Sequence, residues 1–187
     1  APAQIADEAS KPLFDEDEGT TFVFFERSSS KPPPGKGSGE TIKNKNIMKC
    51  QELKEITDWR KMLSTRFPTP ISIDGLSWLT VDHYVHANKI KTSDPAAYKR
   101  LSLDSKSAAS NDPSKIDDVL TEKIRPVDDD YDRSALLTKA FQKRVDQHEL
   151  SRLALALTKR AKLKQYRYGK PAEVMNELMG VRNKITK

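Results

Sequence analysis

The sequence predicts an α+β fold, mostly helical around a small β-sheet. Apolar residues recur at three- to four-residue spacing in several long segments, which is typical of amphipathic helices. Short runs of β-branched and aromatic residues lie between them, which is typical of strands. The chain has 187 residues, of which 36% are hydrophobic and 32% charged. One domain with a polar extension explains this lean composition better than two domains.

Residues 1–20 form an acidic segment with too little apolar surface to order itself. We therefore expect a flexible N-terminal tail that adds nothing to the core. The run TFVFF at 21–25 then predicts a short buried strand, because β-branched and aromatic residues fill it. A Pro/Gly-rich loop at 31–40 follows, and loops of this kind are usually either functional or disordered. The domain itself spans 21–187.

The remaining elements follow from periodicity and turn signals. Apolar spacing from Ile47 to Leu63 predicts an amphipathic helix, and Pro171 stands at a first-turn position of the closing helix. The segment at 92–118 begins with a helical turn, then loses all periodicity and predicts an irregular, mobile excursion. We expect helices at about 47–63, 80–91, 134–157 and 171–185, with extended segments at 71–74 and 162–168.

Eleven apolar side chains lie on the stripes of these elements and should be mostly buried. They are Trp59, Leu63, Phe67, Ile73, Val85, Leu137, Phe141, Leu153, Leu157, Leu178 and Val181.

Charge and cysteine content indicate which ligands and which cellular compartment suit this protein. Lys and Arg exceed Asp and Glu by 33 to 27, so the surface should attract phosphorylated small molecules or polyanions. This excess is too small to establish nucleic-acid binding. The single cysteine, Cys50, excludes an intramolecular disulfide and favours a reducing compartment, intracellular or within a virion. The longest apolar runs are too short for a membrane span, so we expect no membrane partner.

The stretch WLTVDHYVHANKI, at 78–90, concentrates ionisable residues after an Asp-Gly turn. With Thr80 as N-cap, Asp82 meets the positive end of the helix dipole, and Asp82, His86 and Lys89 share one face. Helix chemistry alone leaves two readings open, a solvated helix face or an active site. His83 and His86 lack a third ligand, so we expect no metal and no cofactor.

The run LSTRFPTPISIDGLSWLTVDHYVHANKI, at 63–90, resembles the signature of the NADAR (YbiA-like) family. The resemblance continues through NELMGVRNKI near the C-terminus and covers about residues 22–185. FFERSSSKPPPGKGSGE is similar to the opening of the branch found in large DNA viruses and some microbial eukaryotes. The signature residues matched are Leu63, Ser64, Phe67, Asp74, Gly75, Trp78, Thr80, His83, Tyr84, Ala87 and Lys89.

This resemblance implies a single NADAR/YbiA-like domain that cleaves an N-glycosidic bond of an ADP-ribosyl or phosphoribosyl substrate. Such chemistry needs a carboxylate beside the anomeric carbon, basic groups for the phosphates and an aromatic face for the base. The family's catalytic glutamate corresponds to Asp82, whose carboxylate is one methylene, or about 1 Å, further from an unchanged substrate. Partners implied are a phosphorylated ribosyl small molecule or an ADP-ribosylated nucleic acid.

The resemblance also implies the other site residues. Lys36, Lys89 and Arg167 would bind phosphates, and Trp78 or Tyr131 would frame the base. Gly37 and Glu40 of the Pro/Gly-rich loop would also bind the substrate. Tyr131 stands in for a tryptophan of the bacterial members, and the segment before Pro171 lacks their acidic loop residue. The alternative is a catalytically drifted member that serves as a structural or binding subunit of a larger assembly, such as a virion or ribonucleoprotein.

Two motifs are compatible with either a functional or a purely structural role. Gly35, Gly37 and Gly39 either offer backbone N–H groups to a phosphate or form a solvated loop. TKRAKLKQYRYGK, at 158–170, interleaves two tyrosines with basic residues. It suits phosphate binding with base stacking, and equally the solvated side of an edge strand.

Overall fold

The computed structural model describes residues 11–186, which form two small β-sheets surrounded by helices. The first sheet has the strand order β1-β4-β5, with β1 parallel and β5 antiparallel to β4. The second sheet is the hairpin of β2 and β3. The strands are β1 (Thr21–Phe24), β2 (Ile71–Ile73), β3 (Leu76–Trp78), β4 (Lys162–Arg167) and β5 (Lys170–Val174).

The helices pack around a central long helix, α5, which contacts α2, α6, α7 and β2. The predicted α+β class is confirmed. Irregular 3-10 turns occupy Asn44–Glu55, Asn88–Ile90, Leu103–Ser105, Ala109–Asn111 and Pro113–Lys115. The α-helices are α1 (Trp59–Leu63), α2 (Val81–Ala87), α3 (Pro95–Arg100), α4 (Ile116–Thr121), α5 (Arg133–Gln147), α6 (Glu149–Leu157) and α7 (Asn176–Ile185). No helix in the described part of the chain is both long and apolar enough to span a membrane.

Helix α2 begins where the sequence predicts, because Thr80 Oγ1 accepts the His83 N–H at 3.1 Å. The turn before it adopts left-handed backbone at Asp74 (φ 54°) and Gly75 (φ 77°), as an Asp-Gly hairpin turn requires. The Tyr84 hydroxyl then donates to Asp74 Oδ2 at 2.9 Å. These signature residues therefore tie the hairpin to the helix.

The predicted core is largely confirmed. Nine of the eleven predicted side chains are buried. Leu153 is 45% exposed, so its prediction is wrong, and Phe67 is half-buried. The sequence at 149–157 is apolar around most of the helix, and α6 buries Ala154 and Leu155 in place of Leu153.

Two predicted helices differ in the structure. Residues 44–55 form a 3-10 helix, and left-handed Asp58 (φ 60°) separates it from α1. The apolar residues there recur every three residues, which is the 3-10 period rather than the α period. Residues 170–174 form the edge strand β5 rather than the start of α7. Pro171 is tolerated equally at a helix start and in an edge strand, so it did not distinguish them.

Residues 11–20 are joined to the domain, so the expectation that the whole tail adds nothing to the core is wrong for this part. Leu13 and Phe14 pack against the core, and fully buried Arg182 donates to the Leu13 carbonyl at 2.8 Å. The Arg160 carbonyl accepts the Asp15 N–H. Residues 1–10 lie outside the described part of the chain.

The excursion at 92–118 is irregular, as predicted, but contributes to the core. Tyr98, Leu101 and Ile116 are at most 5% exposed. His83 Nε2 lies 2.8 Å from the Ala109 carbonyl, which links this segment to α2.

Candidate functional site

Glu40 ends the Pro/Gly-rich loop in sequence, and its side chain is turned inward and completely buried. Its Oε1 accepts N–H groups from Gly35 and Gly37 at 3.2 and 3.0 Å, and its Oε2 accepts the Val23 N–H at 3.2 Å. Arg60 adds two hydrogen bonds, from Nε at 2.9 Å and Nη2 at 2.6 Å. The Glu40 carboxylate thus accepts five hydrogen bonds, and its side chain has 0% exposure.

This arrangement corrects the predicted role of Glu40 as a substrate contact, because no surface of its side chain is accessible. It also shows what the N–H groups of the loop glycines bind. The backbone N–H groups of Gly35 and Gly37 do hold an anion, and that anion is the chain's own carboxylate. Lys36 is exposed to solvent beside them.

Trp78 is likewise inaccessible to a ligand. It is 0% exposed, and its ring packs edge-on against Tyr84 at 5.5 Å and lies 5.2 Å from the Tyr98 ring. Its indole N–H donates to the Ile73 carbonyl at 3.2 Å. The prediction that Trp78 frames a base is therefore wrong, because this residue belongs to the core.

Asp82 is placed differently from Glu40. Arg66 Nε donates to Asp82 Oδ2 at 3.1 Å, and His86 Nε2 lies 3.9 Å from Oδ1, beyond hydrogen-bond distance. The Asp82 side chain is 11% exposed. A carboxylate has about four acceptor positions. In the described part of the chain only one is filled by a hydrogen bond, so the Asp82 carboxylate has capacity to bind further groups.

The turn at 63–66 holds Arg66 beside Asp82. The Thr65 carbonyl accepts the Asp82 N–H at 3.0 Å, and buried Gln165 bonds both the Thr65 N–H and its hydroxyl, at 3.1 and 3.0 Å. From α5, Arg144 donates to the Ser64 carbonyl at 2.6 Å. Burial lowers the pKa of Arg144 to about 10, so it still carries a charge at neutral pH.

Tyr131 lies two residues before the start of α5, near enough to Asp82 for that charge to act on its phenol. Burial raises the pKa of the Tyr131 phenol, while the charges of Arg133 and Asp82 act on it in opposite directions. Its hydroxyl is buried without a hydrogen-bond partner among the described residues. Lys89 Nζ lies 5.9 Å from the centre of the Tyr131 ring. The structure thus brings Asp82, Lys89 and Tyr131 into one neighbourhood.

Arg167 is linked to Tyr131 through Glu173 and Arg133, because the charge of Arg133 acts on the Tyr131 phenol. Glu173 accepts hydrogen bonds from Arg133 at 2.8 Å and from Arg167. Burial alone would raise the pKa of Glu173, but hydrogen bonds and charges from the two arginines hold it below its usual value. We use the name Asp82 cluster for Arg66, Asp82, Lys89, Tyr131, Arg133, Arg167 and Glu173. Four of its members are cationic and two are anionic. Nearby carboxylates also act on this region, Asp117 on His86 and Glu177 on Arg133, so the charge around Asp82 is mixed.

Burial lowers the pKa of His86, so this histidine is neutral at pH 7 and adds no charge beside Asp82. Burial also lowers the pKa of His83. The Ala109 carbonyl can only accept, so His83 Nε2 donates to it and Nδ1 accepts from the Thr80 hydroxyl at 2.7 Å. His83 is therefore a structural residue in its neutral form.

Sequence reasoning missed Arg66, Arg133 and Glu173. Arg66 lies in the quoted run at 63–90, but nothing in its local spacing indicates that it meets a residue sixteen positions later. Glu173 was assigned to a helix, whereas pairing of β5 with β4 places it opposite Gln165. Recognition of the tyrosine-glycine turn at 168–169 (Gly169 φ 69°) as a hairpin would have placed it correctly.

The Pro/Gly-rich loop and Asp82 do not share one pocket. A groove of about 490 Å³ lies against the loop, and its wall includes Phe25, Gly37, Arg60 and Tyr166. Asp82 and Lys89 are not part of that wall. The sequence predicted one site around Asp82, and the structure instead places Gly37 in the groove and Asp82 in the cluster.

The fold and these two sites define an α+β protein with a YbiA-like fold. The structure is similar to the NMR structure of the E. coli protein YbiA, with a TM-score of 0.52 and 19% identity over 68% of this chain and 76% of that chain. No family model and no curated protein matches the sequence. The likeness confirms the predicted YbiA-like fold. Placement in the branch of large DNA viruses remains a prediction.

Proposed function

We propose that this protein is an N-glycosidase that acts on a ribosyl phosphate, with Asp82 as its catalytic carboxylate. The proposal rests on the environment of the Asp82 carboxylate. This carboxylate is held by Arg66 at 3.1 Å, and among the described residues it has unfilled acceptor positions. Support also comes from its position, which corresponds to the catalytic glutamate in the family that the sequence resembles.

In the proposed reaction, the bond between the anomeric carbon and a base nitrogen breaks, and its electron pair leaves with the base. Positive charge develops on the sugar ring, and a negatively charged carboxylate stabilises it and orients water. Water adds to the anomeric carbon, and its proton is released to the carboxylate or to solvent. The base nitrogen takes up a proton, for which the unpartnered Tyr131 hydroxyl is a candidate donor.

The basic residues of the Asp82 cluster suit the phosphates of the substrate. Arg66, Arg133 and Arg167 have side chains that are 32%, 41% and 35% exposed, so their guanidinium groups reach solvent while remaining oriented by carboxylates. Arginine binds phosphate through paired N–H groups. We propose that Lys89 and Arg167 contribute to phosphate binding and that the ring of Tyr131 frames the base. We propose an ADP-ribosyl or a phosphoribosyl group as the substrate.

The second candidate function is that of a drifted member with a binding or structural role in a larger assembly. Two observations favour it. Asp82 is shorter than the glutamate of the family, and the groove against the loop does not include it. A 1 Å displacement of a catalytic group costs about a hundredfold in rate.

Turnover assays test the proposal with ADP-ribosylated single-stranded DNA, ADP-ribose conjugates and phosphoribosyl substrates. We expect wild type to release ADP-ribose or ribose 5-phosphate slowly, Asp82→Asn to release none, and Asp82→Glu to be faster than wild type. Asp94→Asn is the matched control, because Asp94 caps α3 and pairs with Arg125 at 2.7 Å, while neither residue belongs to the Asp82 cluster. Its turnover should equal that of wild type. Absence of product from wild type and Asp82→Glu alike would favour the assembly subunit.

A further inference from the structure

The groove against the Pro/Gly-rich loop lies on the outer face of the first sheet. Phe22 and Phe24 of β1 and Leu163 and Gln165 of β4 face the core. Successive residues of a strand point to opposite faces, so Val23 and Tyr166 point outward, where they line the groove. Its volume of about 490 Å³ falls within the range for small-ligand sites.

One wall of the groove is aromatic. The rings of Phe25 and Tyr166 lie 5.2 Å apart, inclined at 55°. Tyr166 is 43% exposed, so part of its ring is free for contact with a ligand. Val23 and Pro32 continue this apolar surface. Such a wall suits the flat face of an aromatic ring.

The opposite wall is polar and already ordered. Arg60 uses all five of its N–H groups, two on Glu40 and the others on the carbonyls of Ser29, Pro32 and Pro33. Arg60 therefore has no donor left for a ligand. Its role is to hold the loop rigid, so that binding does not have to order it. Ser29, Gly37 and Ser38 supply the polar groups of this wall.

The charge around the groove favours an anion. Lys31 and Lys36 directly precede the wall residues Pro32 and Gly37, and Lys164 pairs with Val23 across the strands. Within the described chain none of these three lysines forms an ion pair. Glu26, next to Phe25, is the nearby carboxylate that opposes them, since Glu40 is neutralised by Arg60.

We propose that this groove is a binding site for an anionic ligand that carries a flat aromatic ring, of the size of a mononucleotide. The ring lies against Phe25 and Tyr166, and the anionic group meets Lys36 and Lys164. This site is separate from the Asp82 cluster, because Gln165 connects that cluster to the core face of β4 while Tyr166 points outward. The inference therefore does not depend on the proposed glycosidase activity.

The test measures the binding of AMP to the full chain. Calorimetry gives the affinity, and NMR monitors the chemical shifts of the Gly37 and Ser38 amides. Adenosine, which lacks the anion, and ribose 5-phosphate, which lacks the ring, serve as comparison ligands. We expect AMP to bind more tightly than either and to shift both amides. AMP that leaves the two amides unshifted, or binds no better than both fragments, would overturn the proposal.

Two neighbouring tyrosines provide a matched pair of variants. Tyr166→Ala should weaken AMP binding about fivefold or more, and Tyr166→Phe should retain it. Tyr168→Ala should leave binding unchanged, because Tyr168 is 94% exposed and lies outside the groove. Equal loss in Tyr166→Ala and Tyr168→Ala would contradict the proposal. AMP that shifts the amides of Arg66 and Asp82 while those of Gly37 and Ser38 stay in place would assign it to the Asp82 cluster and contradict the proposal.

Discussion

Glu40 and Asp82 are both carboxylates paired with an arginine, yet they serve different ends. The Glu40 carboxylate accepts five hydrogen bonds, and its side chain has no exposed surface. Asp82 accepts one, from Arg66, and remains 11% exposed. A carboxylate with every acceptor position filled has nothing left to offer a substrate. The number of unfilled positions therefore distinguishes a residue that organises a loop from one that is available for chemistry.

The largest effect should come from Glu40→Gln. This change leaves the buried guanidinium of Arg60 without its counter-charge, which costs about 3–5 kcal/mol. We expect the melting temperature, measured by circular dichroism, to fall by roughly 6–20 °C for a chain of this length. A fall of less than about 3 °C would mean that Glu40 is not the centre of the loop.

A second comparison replaces each arginine by lysine. Arg60→Lys keeps the charge but removes donors that bind Glu40 and three loop carbonyls, so we expect a loss of about 2–3 kcal/mol in the free energy of unfolding. Arg66→Lys should cost less than about 1 kcal/mol, because Arg66 is a third exposed. Urea denaturation of both variants measures the difference. Equal losses would mean that the Arg60–Glu40 pair is no more important for stability than the Arg66–Asp82 pair.

The fold could be predicted from sequence where one local signal decides the structure. Thr80 and the Asp-Gly turn fix α2 and its hairpin in this way. The elements that were misassigned depend on contacts distant in sequence. Pro171 is compatible with two structures, and only pairing with β4 selects the strand. The same limit applies to the site: Asp82 was found from helix position and resemblance, whereas Arg66 and Glu173 join it only through the tertiary fold.

The sequence predicts ligand contacts for Glu40 and Trp78, although both side chains are buried. A motif in a sequence marks residues whose replacement is costly, and both structural and catalytic residues meet that description. Glycines around a carboxylate look the same whether the N–H groups receive a substrate phosphate or the carboxylate itself. Distances and exposure distinguish these cases, and a sequence contains neither.

The stability of Asp82→Asn completes the comparison. We expect a loss of at most about 1 kcal/mol, since Asn keeps the shape and loses only the charge interaction with Arg66 and the helix start. Chemical denaturation beside wild type measures it. A loss as large as that of Glu40→Gln would show that Asp82 is structural, whatever its activity.

The smallest effect concerns acid stability around α2. Burial lowers the pKa of His83 in the folded state, so between that value and about 6.5 the unfolded chain binds more protons. Stability should therefore decrease as pH falls, by at most about 0.7 kcal/mol per histidine between pH 7 and pH 6. His83→Gln, which keeps a donor for the Ala109 carbonyl, should show a smaller decrease. The part that remains belongs to His86, whose pKa is also lowered by burial.

The loop that surrounds Glu40 also covers one edge of the first sheet. Strand β1 is at the edge of its sheet, and its outward N–H groups belong to Thr21, Val23 and the following Phe25. Each is bonded within the chain: to the Thr41 carbonyl at 2.9 Å, to Glu40 at 3.2 Å and to the Ser28 hydroxyl at 2.8 Å. An edge whose donors are all engaged is a poor template for another strand. Glu40→Ala, if it still folds, would leave the Val23 N–H without its acceptor and should increase aggregation as its concentration rises.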